Sequence, residues 1–240
     1  MADPGRMLAV IPARGGSKRL PRKNALPLRG LPLISWTIAA ARASGVLDDI
    51  LVSTDDEEIA AIARDAGVLV PWLRPTHLAT DTATSAAVLR HALAWYEVER
   101  GSVAGVVLLQ PTSPFRSAAS IRDAVASFRA QRGDEAHPVV SVSPALNHPA
   151  WCFHLNGDTM QPFLGWDNLQ RRSQELPPAF ALNGAIYVVP SATARIGERL
   201  LCPGVRPFVM ADPREALDID TADDWRSAQL VAEQLAGEQA

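Results

Sequence analysis

Short apolar runs alternate with longer stretches of helical period along most of the chain. LAVIPA at 8–13 is unbroken in the manner of a strand buried on both faces. PLISWTIAAARASG (32–45) carries apolar residues at helical spacing and ends on Gly45, where a helix closes most easily. DDILVSTD (48–55) is a second apolar run that passes into polar residues, and DEEIAAIARDAG (56–67) reads as a helix with acids in its first turn. VLVPWL (68–73) reads as a strand broken by Pro71, and TATSAAVLRHALAWYEVERG (82–101) as a long amphipathic helix. AGVVLLQ (104–110) is the next buried strand and SAASIRDAVASFRAQRG (117–133) the next helix. This rhythm predicts right-handed βαβ crossovers and an α/β fold with a doubly wound, mostly parallel sheet.

The rhythm breaks after VVSVSP (139–144). Residues 145–180 hold Pro149, Pro162, Pro177 and Pro178 with Trp151 and Trp166 among short apolar alternations. So long a structureless loop is unusual in a compact domain, so the segment reads as a small β excursion whose aromatics are buried against another surface, a second subunit being one candidate. Regular structure resumes with NGAIYVVP (183–190), a short helix, RPFVM (206–210), the acidic LDID (217–220) and a last helix from about 221 to 236. The expectation is one domain over residues 1–240.

Composition changes this picture by exclusion. The chain is 48% apolar and 20% charged with a formal net charge of −3, the balance of a globular protein and not of a general nucleic-acid binder. The opening MADPGRML lacks the apolar core of a signal, and no apolar stretch reaches the length of a membrane span, so the reading is cytoplasmic, without a membrane partner. Cys152 and Cys202 show no C-x-x-C spacing, which argues against a zinc site or a disulfide framework.

Candidate chemistry concentrates at the end of the first strand. Of 23 basic residues only Lys18 and Lys23 are lysines, and both fall in ARGGSKRLPRKN (13–24) beside Arg14, Arg19 and Arg22. Ligands of open α/β sheets bind beyond the carboxyl ends of the strands, and Gly15 and Gly16 free backbone N–H groups to face an anion. A phosphate chain is the expected anion, with a solvated basic turn as the plain alternative. Neither the P-loop spacing nor G-x-G-x-x-G is present, which excludes the usual ATPase and dinucleotide fingerprints. Asp218 and Asp220 flank Ile219, and carboxylates two apart in an extended segment share a face and can hold one hard cation; alternatively, one of them caps the helix near Thr221.

Four stretches together resemble the acylneuraminate cytidylyltransferases, also called CMP-sialic acid synthetases: IPARGGSKRLPRKN (11–24), LLQPTSPFR (108–116), NGAIY (183–187) and DIDTADD (218–224), supported by STDDEEIA (53–60) and RPTHLATD (74–81). The resemblance implies a nucleotide-diphospho-sugar transferase-like fold with residues 145–180 as a dimerisation excursion. It also implies an enzyme in which the anomeric hydroxyl of a sialic-acid-like nonulosonic acid attacks the α-phosphorus of CTP, with Mg²⁺ as cofactor and a homodimer as the working form. By the same resemblance Lys23, Arg14, Asp218 and Asp220 carry the reaction, the last two holding the metal. Ser17, Lys18, Asn24, Arg74, Ser85, Gln110, Pro111, Thr112, Ser113, Asn183 and Tyr187 bind substrate. Where similar enzymes place an Arg two residues ahead of NGAIY and an aromatic pair beyond its Tyr, this chain has Ala181 and, by ungapped count, Leu200 with Leu201. A cytidylyltransferase for octulosonate or pseudaminate, and a catalytically silent nucleotide-sugar binding module, are the alternatives.

Overall fold

The fold was analysed in a computed structural model that describes residues 5–131 and 136–238. Strand β1 (Met7–Pro12) leads through the basic loop and a two-residue hairpin, β2 (Pro27–Leu28) and β3 (Leu31–Pro32), into helix α1 (Leu33–Ser44). The chain continues as β4 (Asp49–Ser53), α2 (Glu57–Asp65), α3 (Ser85–Arg100), β5 (Gly105–Leu109), α4 (Ala118–Arg129) and β6 (Val139–Pro144). The excursion carries the hairpin β7 (Phe153–Asn156) and β8 (Thr159–Pro162). It returns as β9 (Phe180–Pro190), followed by α5 (Ser191–Ile196), β10 (Arg206–Val209) and α6 (Ala222–Gly237).

The central sheet has the order β10-β6-β9-β5-β1-β4. β1 is parallel to β4 and β5, β10 is parallel to β6, and β9 is antiparallel to both β5 and β6. Five strands therefore run one way, and β9 alone opposes them. Alternate residues of β1 serve two cores. Met7, Ala9 and Ile11 pack with α1, α2 and α4, whereas Leu8 and Val10 pack with α3 and α5. Helices thus cover both faces, as the unbroken apolar strands require.

One expectation is corrected, and two features add to the rest. The 68–73 run forms no strand: Leu69 makes only an isolated bridge to Leu51, because Pro71 offers no N–H to a ladder. The 27–32 hairpin was not expected, two residues per strand being too short for a periodic signal. The aromatics of the excursion are not buried within this chain, since Phe163 and Trp166 are exposed along with Leu155 and Met160. The predicted helix end at 132–133 lies outside the described residues; α4 closes at Arg129, within them.

A third core fixes the acidic segment. Ile219 is fully buried with Leu28, Leu33, Phe115 and the inner face of α6, and its N–H donates to Thr112 O at 2.8 Å. Burying Ile219 leaves its neighbours Asp218 and Asp220 on the outer side, beside the turn that ends β5.

Candidate active site

Three cavities meet at the carboxyl edge of the sheet, and Gln110 borders all of them. The first, of about 440 Å³, is walled by Arg14, Ser17, Lys18, Lys23 and Asn24 of the basic loop, and by Pro111, Thr112 and Asp220 across from them. Carboxylates hold its cations in place. Asp81 accepts from Arg14 at 2.7 Å and pairs with Lys18 at 2.5 Å, and these two cations keep its carboxyl below the usual range. Asp220 accepts from Arg19 at 2.8 Å and from Lys23 at 3.0 Å. Lys23 also donates to Ile219 O and is buried, unlike Lys18, which stands in solvent.

The loop keeps its shape through short-range contacts. Asn24 Nδ2 donates to Arg14 O at 3.0 Å, and Gly15 N–H donates to Asp55 at 3.0 Å. A Cβ on Gly15 would lie 2.6 Å from the Asp56 carboxylate, so this close approach demands glycine, whereas Gly16 faces open space. Arg22 takes a left-handed conformation, φ 56°, that turns the chain into the short helical turn at Lys23–Ala25.

The second cavity, about 270 Å³, adjoins the first through Arg14 and Asp81 and contains Arg74 and Ser85. Arg74 is buried at 6% exposure. Nη1 reaches Leu78 O at 3.3 Å, but Nε and Nη2 have no partner, and burial pulls the guanidinium pKa down. Buried donors without acceptors are costly, so this geometry suits an incoming acceptor. The third cavity, about 410 Å³, lies between Ser85, Gln110, Tyr187 and the loop bearing Arg199, Leu200 and Leu201. Burial raises the Tyr187 phenol pKa, and the Asp218 charge adds to that.

Asp218 retains solvent access, yet the protein around it removes enough water to lift its carboxyl above the usual range; the Thr112 hydroxyl opposes this and Asp220 adds to it. Neither acid caps α6. Thr221 is the N-cap, its Oγ1 accepting from Asp224 N–H, while Asp224 Oδ2 accepts from the Thr221 and Asp220 N–H groups. The cap alternative for Asp218 and Asp220 is thereby excluded.

Two sequence-predicted substrate contacts lie elsewhere. Asn183 is buried with its amide fully used: Oδ1 accepts from Ser141 and Ala185 N–H, and Nδ2 donates to Ser143 and Met210. No capacity remains for a sugar. Ser113 is fully buried beneath the turn and lines none of the three cavities. The NGAIY motif instead shapes the sheet. Gly184 at φ 74° sits beside a bulge between β6 and β9, with the Gln110 side chain 3.8 Å from where a Cβ would stand.

Sequence reasoning missed Arg116. It is fully buried and donates to Ala185 O at 2.7 Å, Gln110 O at 2.6 Å and Thr37 at 3.3 Å, clamping the end of β5 to β9 and α1. Burial lowers its pKa to about 9, still above neutrality, so it remains a cation. Asp81 and Arg199 were missed too: nothing in the sequence marks an acid as the clasp of two distant cations or a loop arginine as part of a cavity wall.

A doubly wound sheet that opens at its carboxyl edge into a cation-lined cavity, joined to one with unsatisfied buried donors, is the frame of a nucleotidyltransferase. The chain belongs to the cytidylyltransferase family, whose model matches residues 8–157. It is 39% identical over 230 residues to the CMP-N,N'-diacetyllegionaminic acid synthase of Legionella pneumophila, covering 95% of this chain and 97% of that one. It is 37% identical over 221 residues to an N-acylneuraminate cytidylyltransferase of Streptococcus agalactiae, covering 91% of this chain and 51% of the relative. Among solved structures its fold is similar to a CMP:2-keto-3-deoxy-manno-octonic acid synthetase complexed with CTP, with a TM-score of 0.69 at 17% identity over 95% of this chain and 99% of the other.

Proposed function

We propose that this protein transfers CMP from CTP to the anomeric hydroxyl of a nonulosonic acid. The hydroxyl oxygen gives up its proton to solvent and forms a bond to the α-phosphorus, the bond from that phosphorus to the oxygen bridging to the β-phosphate breaks, and pyrophosphate leaves. The observation that carries the reading is the junction at Gln110 of a cationic cavity, a cavity holding the unsatisfied Arg74 and a third, partly apolar cavity. These match a triphosphate, a base rich in acceptors and a sugar acid. The related proteins named for diacetyllegionaminic and acylneuraminic acids support the sugar class.

In this reading Arg14, Ser17 and Lys18 hold the triphosphate after its oxygens displace Asp81, and Asn24 fixes the loop. Arg74 and Ser85 face the cytidine. Lys23 moves from Asp220 toward the charge that grows on the α-phosphate. Gln110 and Tyr187 take sugar hydroxyls, while Pro111 and Thr112 fix the turn that carries Gln110. Asn183, Ser113 and Arg116 position this edge without touching substrate.

Asp218 and Asp220 would hold Mg²⁺. The two carboxylates lie on the outer side of the buried Ile219, the charge of Asp220 adds to the cost of charge on Asp218, and no group of three or more metal-binding side chains exists among the described residues. That donor set fits a cation that binds one or two carboxylates and takes phosphate oxygens and water for the rest. When bound, the ion would neutralise charge on the triphosphate. Asp218→Asn and Asp220→Asn should each lower kcat by about 10²- to 10³-fold with the fold intact. Full turnover in excess chelator would rule out the metal role.

The exposed Leu155, Phe163 and Trp166 of the excursion support a homodimer in which residues 145–180 cover a neighbour. No helix among the described residues is long and apolar enough to cross a membrane, and the use of CTP favours a cytoplasmic setting.

A further inference from the structure

We infer that Asp55, on the turn between β4 and α2, is a positioning residue for CTP: from one point it fixes the start of the basic loop and steadies Arg74 of the adjoining cavity, while lining neither cavity itself. The inference rests on the nucleotidyl-transfer reading and deepens it.

The turn that carries Asp55 meets both halves of the candidate nucleotide site through main-chain bonds. Ser53 O accepts from Ala13 N–H at 2.9 Å, where β1 gives way to the basic loop, and Thr54 O accepts from Arg74 N–H at 2.6 Å. The turn itself is stiff. Ser53 and Thr54 are fully buried, Thr54 Oγ1 accepts from Asp56 N–H at 3.1 Å, and Asp56 caps α2 by accepting from Ile59 N–H at 3.1 Å. Farther along the basic loop, Arg22 pairs with Glu58 in the first turn of α2. The β4–α2 junction is therefore the frame against which the loop is set.

Within this frame Asp55 is the side chain that addresses both halves. Its Oδ1 accepts from Gly15 N–H at 3.0 Å, so that donor is committed to shaping the loop. Its charge supports the Arg74 cation against burial and against repulsion from Arg14. Arg74 Nε and Nη2 nevertheless have no partner, so Asp55 steadies the cation without consuming its donors. Asp81 and Asp220 act differently: both pair directly with cations of the first cavity and both line it. Asp55 borders neither the first cavity nor the second, so bound CTP has no need to displace it.

The test measures, by calorimetry without divalent ions, the binding of CTP and of tripolyphosphate to the wild type, Asp55→Asn, Asp55→Ala, Arg74→Met and the double variant Asp55→Asn/Arg74→Met. Asn keeps an acceptor for Gly15 N–H and removes the charge. Asp55→Asn should hold tripolyphosphate within about threefold of the wild type and weaken CTP by about 3- to 10-fold, whereas Asp55→Ala should weaken both ligands. In the double variant CTP should bind within about twofold of Arg74→Met alone, because the charge acts through Arg74. Turnover by Asp55→Asn should show a raised KM for CTP with kcat within about threefold of the wild type. Additive losses in the double variant, or tripolyphosphate weakened equally by Asn and Ala, would make Asp55 a residue that only keeps the turn folded and would overturn the proposal. Wild-type binding by Asp55→Ala would overturn it as well. Should Asp55→Ala fail to fold, the Asn variant and the double variant decide the matter. If the wild type binds CTP but releases no pyrophosphate with any acid, the transfer reading fails, while the binding series still decides the role of Asp55.

Discussion

Lys23 shows why residue identity at this site is narrower than charge. Its ammonium lies in a pocket with 9% side-chain exposure, bonded to a backbone carbonyl and to Asp220, whereas Arg19 reaches the same carboxylate from solvent. A planar guanidinium at position 23 would need more room than the enclosed loop leaves and would lose the freedom to follow a moving charge. Lys23→Arg is therefore expected to reduce kcat by about 10²-fold or more, close to the loss for Lys23→Ala, while Arg19→Lys stays within a few-fold. Wild-type kinetics for Lys23→Arg would show that the lysine is incidental. At this scale the sequence exposed the residues whose chemistry is local. The clustered lysines and the Asp218 and Asp220 pair stand out because spacing alone brings them together. The roles of Arg116, which nothing singled out, and of Asn183, which the resemblance assigned to substrate, depend on long-range partners: Arg116 meets Ala185 and Thr37 only after the sheet forms, and Asn183 is claimed by Ser141 and Ser143 across the β6–β9 bulge.

Among the elements, loops at one edge of the sheet carry nearly all of the site, and strand ends aim them. The segment ahead of α3 brings Asp81 against the loop after β1, where its carboxylate occupies Arg14 and Lys18 much as a phosphate oxygen would. CTP has to displace that clasp. Two exposed ion pairs oppose binding only modestly, so Asp81→Asn should tighten CTP by about 2- to 10-fold at low salt, an advantage that fades as salt screens the pairs. Titration of CTP by calorimetry at two ionic strengths reads this, and weaker binding in Asp81→Asn would mean that the carboxylate helps to organise the loop. Helices and long buried strands were legible because their periods are strong. The failures share a cause. Residues 68–73 had the right composition for a strand but Pro71 in the ladder, and the 27–32 hairpin was too brief for any period to register.

For the whole molecule, the sheet gathers the three cavities that share Gln110 at its carboxyl edge, while the excursion between β6 and β9 extends a separate apolar face. The tryptophans and prolines of that segment signalled something to be covered, but sequence could not say that this chain leaves it open. Light scattering at micromolar concentration should give the mass of a dimer, and Leu155→Asp combined with Phe163→Asp should shift it toward the monomer; a wild type that is already monomeric would contradict the proposed assembly. The central claim is transfer of CMP to a nonulosonic acid, and the most direct measurement is pyrophosphate release from CTP and Mg²⁺ across diacetyllegionaminate, N-acetylneuraminate, pseudaminate and octulosonate. The account predicts release that requires both the acceptor and the metal, greatest for an acylated nonulosonic acid of the legionaminate or neuraminate kind. Release with octulosonate alone, or none with any acceptor while CTP still binds, would contradict it.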